Sequence, residues 1–215
     1  KVSVSFLPIG TTDEIGDACY LLEVDGVTLI LDTGIHPRKR GEESLPTFQI
    51  AADRDPDAIL ISHCHLDHLG ALPVALSHFP HARVLMSRAS SILAPLMLHH
   101  TVQVMERLQR ENIGIPPLYT HQDVEAISYI FQGMATGKPF LLDNLTKWRP
   151  KLKIRFYDAG HILGAVGIWI QSSSHVIFYT GDTSAHTQEI LPGAEYPKSS
   201  VDVLITETTL GADPQ

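Results

Sequence analysis

Ser62-His63-Cys64-His65-Leu66-Asp67-His68 is the stretch on which the reading of this chain turns. It carries the spacing His-x-His-x-Asp-His, three imidazoles and a carboxylate with nothing between its parts. The apolar run before it, Ala58-Ile59-Leu60-Ile61, predicts a buried strand, and Leu69-Gly70-Ala71-Leu72 after it predicts the start of a helix. At a strand-to-helix turn these side chains converge on one small volume. Imidazole nitrogen and carboxylate oxygen are the ligands that borderline divalent metals such as zinc prefer. His63 and His65 project together to one point, while Asp67 and His68 enter the helix and are free to serve a second. Two adjacent metals are the economical reading. A histidine-rich surface loop is the alternative, but such loops seldom follow a buried strand with so many metal-type ligands.

Working outward, Val2–Leu7 and Ala18–Val24 predict strands, Asp25-Gly26 a hairpin turn, and Val27–Leu31 the returning strand. That strand ends on Asp32-Thr33-Gly34, a carboxylate at a strand tip that also suits a plain turn. Pro37-Arg38-Lys39-Arg40-Gly41 is a basic loop, either a solvated charge run or a phosphate-facing lip. Downstream, Leu69–Phe79 predicts a helix and Arg83–Ser87 a strand. A long helix is expected from Ser90-Ser91 to about Glu111, where Pro95 is tolerable only near the first turn. Thr120-His121-Gln122-Asp123 resembles a capping box and opens a helix through Phe131. His99, His100 and His121 read as packing or surface residues. Lys147–Lys153 forms a second basic patch around Trp148 and leads into a strand at Ile154–Tyr157. His161 is bracketed by Gly160 and Gly164 at a strand end, which lets a ligand side chain approach a metal closely. Val166–Gln171 and His175–Tyr179 predict a hairpin ending in Thr180-Gly181-Asp182, and Val201–Thr206 a last strand ending in Glu207.

Strands in hairpins at both ends with helices between them argue for helix-covered sheets rather than a doubly wound parallel sheet. No glycine-rich phosphate loop follows the first strand, which removes the nucleotide-binding folds. The 215 residues suffice for one domain with a sizeable core, or for most of a larger one. The formal net charge of −8 advertises no nucleic-acid binding. That weighs little, because carboxylates gathered around a metal add formal charge that the cation cancels. With only Cys19 and Cys64 no disulfide framework is expected, and a reducing cytoplasmic location is. There is no signal-peptide pattern at Lys1 and no apolar run long enough to span a bilayer, so no membrane partner is expected.

Asp32, His63-x-His65-x-Asp67-His68, His161 and Asp182, in that order at strand ends, resemble the first four motifs of the metallo-β-lactamase superfamily. The resemblance covers essentially the whole chain. It implies an α+β or α/β protein folded as a four-layer αββα sandwich with a two-zinc site at one sheet edge. It further implies that His63, His65 and His161 hold one zinc, that Asp67 and His68 hold the other, and that Asp182 bridges them. Asp32 would support the site from behind. Ile205-Thr206-Glu207-Thr208-Thr209-Leu210-Gly211 resembles motif A of the β-CASP subgroup. Together with Gly160–Ala165 and the helical insertion between His68 and His161, it is closest to the branch of the pre-mRNA 3′-end-processing endonuclease and its prokaryotic relatives.

The activity so implied is zinc-dependent cleavage of phosphodiester bonds in RNA, with DNA as the other polymer, by a water whose pKa the metals lower toward ~7. Asp67, Asp182 and Asp32 would be its catalytic carboxylates, and Glu207 would orient the histidine that protonates the leaving oxygen. Arg38, Lys39 and Arg40 would touch the nucleic-acid backbone. The family's last metal-binding histidine follows its β-CASP domain, and beyond Asp182 this sequence offers only His186, too close to serve. The expectation is therefore that residues 1–215 form the N-terminal part of a metallo-β-lactamase domain, with the β-CASP domain downstream and homodimerisation through regions outside this sequence allowed for. Two rivals remain. A small-molecule hydrolase, such as a thioesterase or lactonase, suits the acidic balance but not the motif-A-like ending. A non-catalytic subunit of a processing complex suits a degenerate site, whereas every ligand position through Asp182 is filled.

Overall fold

The computed structural model describes residues 4–113, 115–143 and 151–209, with the side chains of 112 and 113 left aside. Two β-sheets stack face to face. The first runs β1 (Val4–Pro8), β2 (Tyr20–Val24), β3 (Val27–Leu31), β4 (Ala58–Leu60), β5 (Arg83–Ser87) and β6 (Phe131–Met134), in that order across the sheet. The second is ordered β11 (Val203–Ile205), β10 (Val176–Tyr179), β9 (Val166–Gln171), β8 (Leu152–Asp158), β7 (Phe140–Leu142). The β2–β3 hairpin turns on Asp25 and Gly26, both at positive φ, which is the backbone a two-residue hairpin of the right twist requires.

Side-chain alternation builds two cores from one sheet. Leu29 and Leu31 of β3 and Leu60 of β4 point between the sheets, where they meet Ile154 and Phe156 of β8 and Ile168 and Ile170 of β9. Ile30, Ile59 and Val84 point the other way, against Leu69, Leu72, Leu98, Val102 and Val124 of the helical side. Because β3 and β4 are buried on both faces, β4 is wholly apolar and β3 is apolar apart from Thr28. The helical layer comprises α1 (Leu66–Leu69), α2 (Leu72–His78), α3 (Arg88–Leu108) and α4 (His121–Ser128). Among the described residues no helix lies on the outer face of the second sheet, where Leu141 and Leu204 are more than half exposed.

Several boundaries differ from expectation. The helix after the histidine motif starts at Leu66, not Leu69, and is broken at Gly70–Ala71 into α1 and α2. The long helix begins at Arg88, because the Ser87 hydroxyl caps it by accepting the Ser90 N–H. Pro95 is consequently its eighth residue rather than part of the first turn. The capping box at Thr120 and Asp123 forms, but α4 stops at Ser128 and Phe131 begins β6. β3 through β6 pair in parallel, so half of the first sheet is built from crossovers rather than hairpins. β11 likewise joins β10 in parallel. Residues 147–150 of the second basic patch, and Leu210-Gly211, lie outside the described residues.

Phe156 is fully buried between the sheets, edge-on to Phe140 at 5.3 Å. Phe156→Ala should cost about 3–5 kcal/mol, seen as a lower denaturant midpoint at unchanged m-value. A loss below 1 kcal/mol would mean that the sheets do not close on this ring.

Candidate metal centre

Five chain segments deliver side chains to one edge of the sandwich: the loops after β3, β4, β8, β10 and β11 carry Asp32, the His63–His68 motif, His161, Asp182 and Glu207. The motif is sewn to the loop after β3 by backbone bonds from Thr33 N–H to His68 O (2.7 Å) and from Ile35 N–H to Leu66 O (3.0 Å). Gly34 lies between these bonds, and a Cβ there would sit 1.8 Å from the Asp67 carbonyl oxygen, so only glycine fits. The His161 loop is tied to the start of α3, whose Ser87 and Ser90 hydroxyls both donate to Gly164 O, at 2.7 and 3.0 Å.

His63 Nε2 and His161 Nε2 each lie 3.1 Å from His65 Nδ1, and Asp182 Oδ2 lies 3.8 Å from His63 Nε2 and 3.6 Å from His161 Nε2. One ligand atom from each of these four residues falls within 4.8 Å of every other. A tetrahedral ion with metal–nitrogen bonds of 2.0–2.1 Å needs its ligand atoms about 3.3 Å apart, and these separations bracket that value. The donor set therefore fits a divalent metal of zinc's class. Protonation does not compete strongly for the lone pairs. Burial, then the charge of His68, holds His63 well below the usual imidazole pKa; burial, then His161, lowers His65.

Behind this cluster lies Asp32, fully buried and held at φ 60, a left-handed backbone that aspartate tolerates better than most residues. Its Oδ1 accepts the Ser62 N–H at 2.6 Å. Its Oδ2 accepts the Ser62 hydroxyl at 2.7 Å, the Tyr179 hydroxyl at 2.6 Å and His68 Nδ1–H at 2.8 Å. With its hydrogen committed to Asp32, Ser62 Oγ is an acceptor for His63 Nδ1, 3.0 Å away. One carboxylate thus sets both tautomers, leaving Nε2 of His63 and of His68 turned toward the centre.

Asp182 divides its oxygens. Oδ2 faces His63 and His161, whereas Oδ1 lies 3.2 Å from His68 Nε2. Burial alone would raise its pKa, but the hydrogen bond and charge of His68, helped by His63 and His161, hold it down to about 2. Burial likewise works against charge on His68, yet Asp32 and Asp182 together lift it to about 10. Asp67 lies with His68 in the wall of a groove of about 600 Å³, joined there by Asp182, Arg38 and Glu207. Among the described residues Asp67 and His68 do not form a second group of three convergent ligands with Asp182.

Of the remaining expected residues, Glu207 accepts the Thr183 N–H at 3.0 Å and so braces the loop that carries Asp182. The basic loop is split. Arg38 faces the groove, tethered 3.5 Å from Glu14, while Lys39 and Arg40 line a separate cavity. Ser62 and Tyr179 were not singled out from the sequence. A tyrosine at an inward position of an apolar strand, three residues before Asp182, was the signal available for the latter, since a buried hydroxyl needs a partner.

With this geometry in place, the comparisons with known proteins become specific. The profile of the metallo-beta-lactamase superfamily matches residues 15–210. The chain belongs to that superfamily. Among curated relatives it is 35% identical to cleavage and polyadenylation specificity factor 73 of Drosophila melanogaster, over 95% of this chain and 28% of that protein. It is 33% identical to endoribonuclease YSH1 of Gibberella zeae, over 96% of this chain and 24% of that one. Identity is also 33% to cleavage and polyadenylation specificity factor subunit 3 of Dictyostelium discoideum, over 95% and 25%. The chain spans about a quarter of the length of these relatives. A crystal structure of a protein of unknown function from Enterococcus faecalis V583 is similar in fold to this chain, at TM-score 0.51 and 14% identity, covering 86% of this chain and 44% of that one.

The raised pKa of His68 gives a pH signature. Its folded value lies above the ~6.5 of an unfolded histidine, so its contribution to metal-free stability is complete below pH ~6.5 and is lost as pH rises through about 10. Denaturant midpoints of the protein in EDTA should fall across that window, and His68→Gln should flatten the fall. A flat profile in the wild type would show that Asp32 and Asp182 do not hold the proton.

Proposed function

We propose that this protein is a zinc-dependent hydrolase of the β-CASP type that cleaves phosphodiester bonds of RNA. The convergence of His63, His65, His161 and Asp182 at tetrahedral separations carries the reading. The relatives named as endoribonucleases support RNA as the polymer, and a groove of about 600 Å³ lies beside the cluster. The proposed zinc ligands are His63, His65 and His161 for one ion and Asp67 and His68 for the other, with Asp182 between them.

When bound, the two ions would supply hydroxide at neutral pH and positive charge for the phosphate oxygens. The chain's own residues do the rest. Asp32 holds the Nδ1 protons of His63, through Ser62, and of His68, so that Nε2 of each stays turned inward. Asp182, ionised at any physiological pH, places one oxygen on each side. Asp67 adds a second carboxylate to the groove wall, and Glu207 keeps the Asp182 loop in place through Thr183. Arg38 stands at the groove, ready to exchange Glu14 for a phosphate. A cytoplasmic, reducing setting belongs to the same reading: Cys19 and Cys64 are buried thiols, and burial raises the pKa of both, that of Cys64 to about 11.

His65→Ala and Asp67→Ala remove partly exposed ligands and should leave the fold intact while lowering turnover of a labelled RNA by more than about 100-fold, the upper end of what outer-shell changes cost. His63→Ala, fully buried, should also lose stability. Circular dichroism reports the fold beside the rate, and wild-type turnover in the two exposed-ligand variants would refute the metal mechanism. If Arg38 contacts one phosphate, Arg38→Gln should reduce the slope of log affinity against log salt by about 0.7; an unchanged slope removes Arg38 from the binding surface.

A further inference from the structure

Beside the groove is a second cavity, of about 180 Å³. Leu66, Met97, Val104, Met105 and Leu118 make it apolar. Two adjacent pairs of residues are divided between the two. Asp67 belongs to the wall of the groove and Leu66 to the wall of the cavity; Arg38 belongs to the groove and Lys39 to the cavity. At the rim stand Lys39, Arg40 and His100, all exposed. Arg40 donates to the backbone oxygens of Pro37 and Lys39, and among the described residues neither Lys39 nor Arg40 has a carboxylate partner.

We propose that this cavity is a base slot, in which one nucleobase of the RNA strand is held while its flanking phosphates lie on Lys39 and Arg40. The inference rests on the RNA reading given above and adds where the strand runs as it leaves the metal centre. Size supports one ring system: drug-sized ligands need about 300–1,000 Å³, more than is present. The walls supply what a base requires. The imidazole of His100 is a stacking face, and the two methionine side chains adapt to purine or pyrimidine alike. Few fixed polar groups line it, so the slot takes any base rather than reading one. The two cations match the phosphates on either side of a base turned out of the strand, whereas an apolar peptide side chain would leave both unanswered.

The test is made on the zinc-loaded protein with a 2′-O-methyl phosphorothioate RNA backbone, checked intact by gel, so that binding is read without cleavage. A fluorescein-labelled RNA hexamer is compared with six versions, each carrying one abasic residue. The wild type should lose roughly 5- to 160-fold in affinity at one position, as expected for a single stacked base. In Val104→Trp, which fills the cavity, and in His100→Ala, which removes an exposed stacking face, the abasic penalty at that position should shrink severalfold. His100→Ala keeps the test valid if the tryptophan variant fails to fold. Equal affinity for all seven oligomers, or a penalty unchanged in the variants, would overturn the slot. Zinc-dependent cleavage of RNA together with either of those results rejects the slot alone. Absence of both binding and cleavage would also reject the reading on which it rests.

Discussion

The structure depends on a buried negative charge. Asp32 has no solvent contact, so the cost of its ionised carboxylate must be met by hydrogen bonds from within. Two donors come from Ser62, one from His68 and one from Tyr179. Hydrogen bonds to a charged group are worth about 1.5–3 kcal/mol each, and removing any single donor leaves the rest of the charge buried. The four donors also come from separate parts of the molecule. Ser62 and His68 bracket the metal motif, whereas Tyr179 reaches across from the second sheet. The charge thus fastens the two sheets to each other at the place where the metal ligands converge, and the histidine tautomers follow from that fastening.

A consequence is that the two sides of the centre are prepared to different degrees. His63 and His65 are held below the usual imidazole pKa by burial, and together with His161 they turn ring nitrogens toward one point. His68 stands beside them with opposite electrostatics, since Asp32 and Asp182 both favour its protonated form. An ion on the first side meets ready donors; an ion on the second must displace a proton. Asp182 links the two, because its charge both favours the metal at the first side and keeps the proton at the second.

Much of this was legible in the sequence where a ligand sits at the end of a strand. His63, His65, Asp67 and His68 stood out by their own spacing behind the run Ala58–Ile61, whereas Asp32, His161 and Asp182, weak singly, were placed by the order in which they resemble the superfamily's motifs. The runs pointed to helix-covered sheets, and the resemblance implied the two-sheet sandwich. What was hidden depends on tertiary contact. The break at Gly70–Ala71 and the early start of α3 at Ser87 are set by local caps and by packing, which periodicity does not encode. β6 and β7 are short, lie at sheet edges and show no regular alternation of burial. Arg38, Lys39 and Arg40 looked like one basic patch, but consecutive side chains in an irregular loop point in different directions, and these three face two different cavities.

The acidic balance of the chain also finds a physical place. Carboxylates at Asp13, Glu14, Asp67, Asp182 and Glu207 surround the groove, outnumbering the basic side chains Arg38 and His68 in its wall. Without metal such a groove repels a polyanion. Two divalent cations would add four positive charges at its floor, close to the reacting phosphate and poorly screened by solvent. Formal charge counted over residues alone therefore says little about affinity for RNA. On the proposed function, a strand reaching the centre would be drawn by ions that the carboxylates recruit, so the same residues that give the chain its negative sum would make the site attractive to a negative substrate.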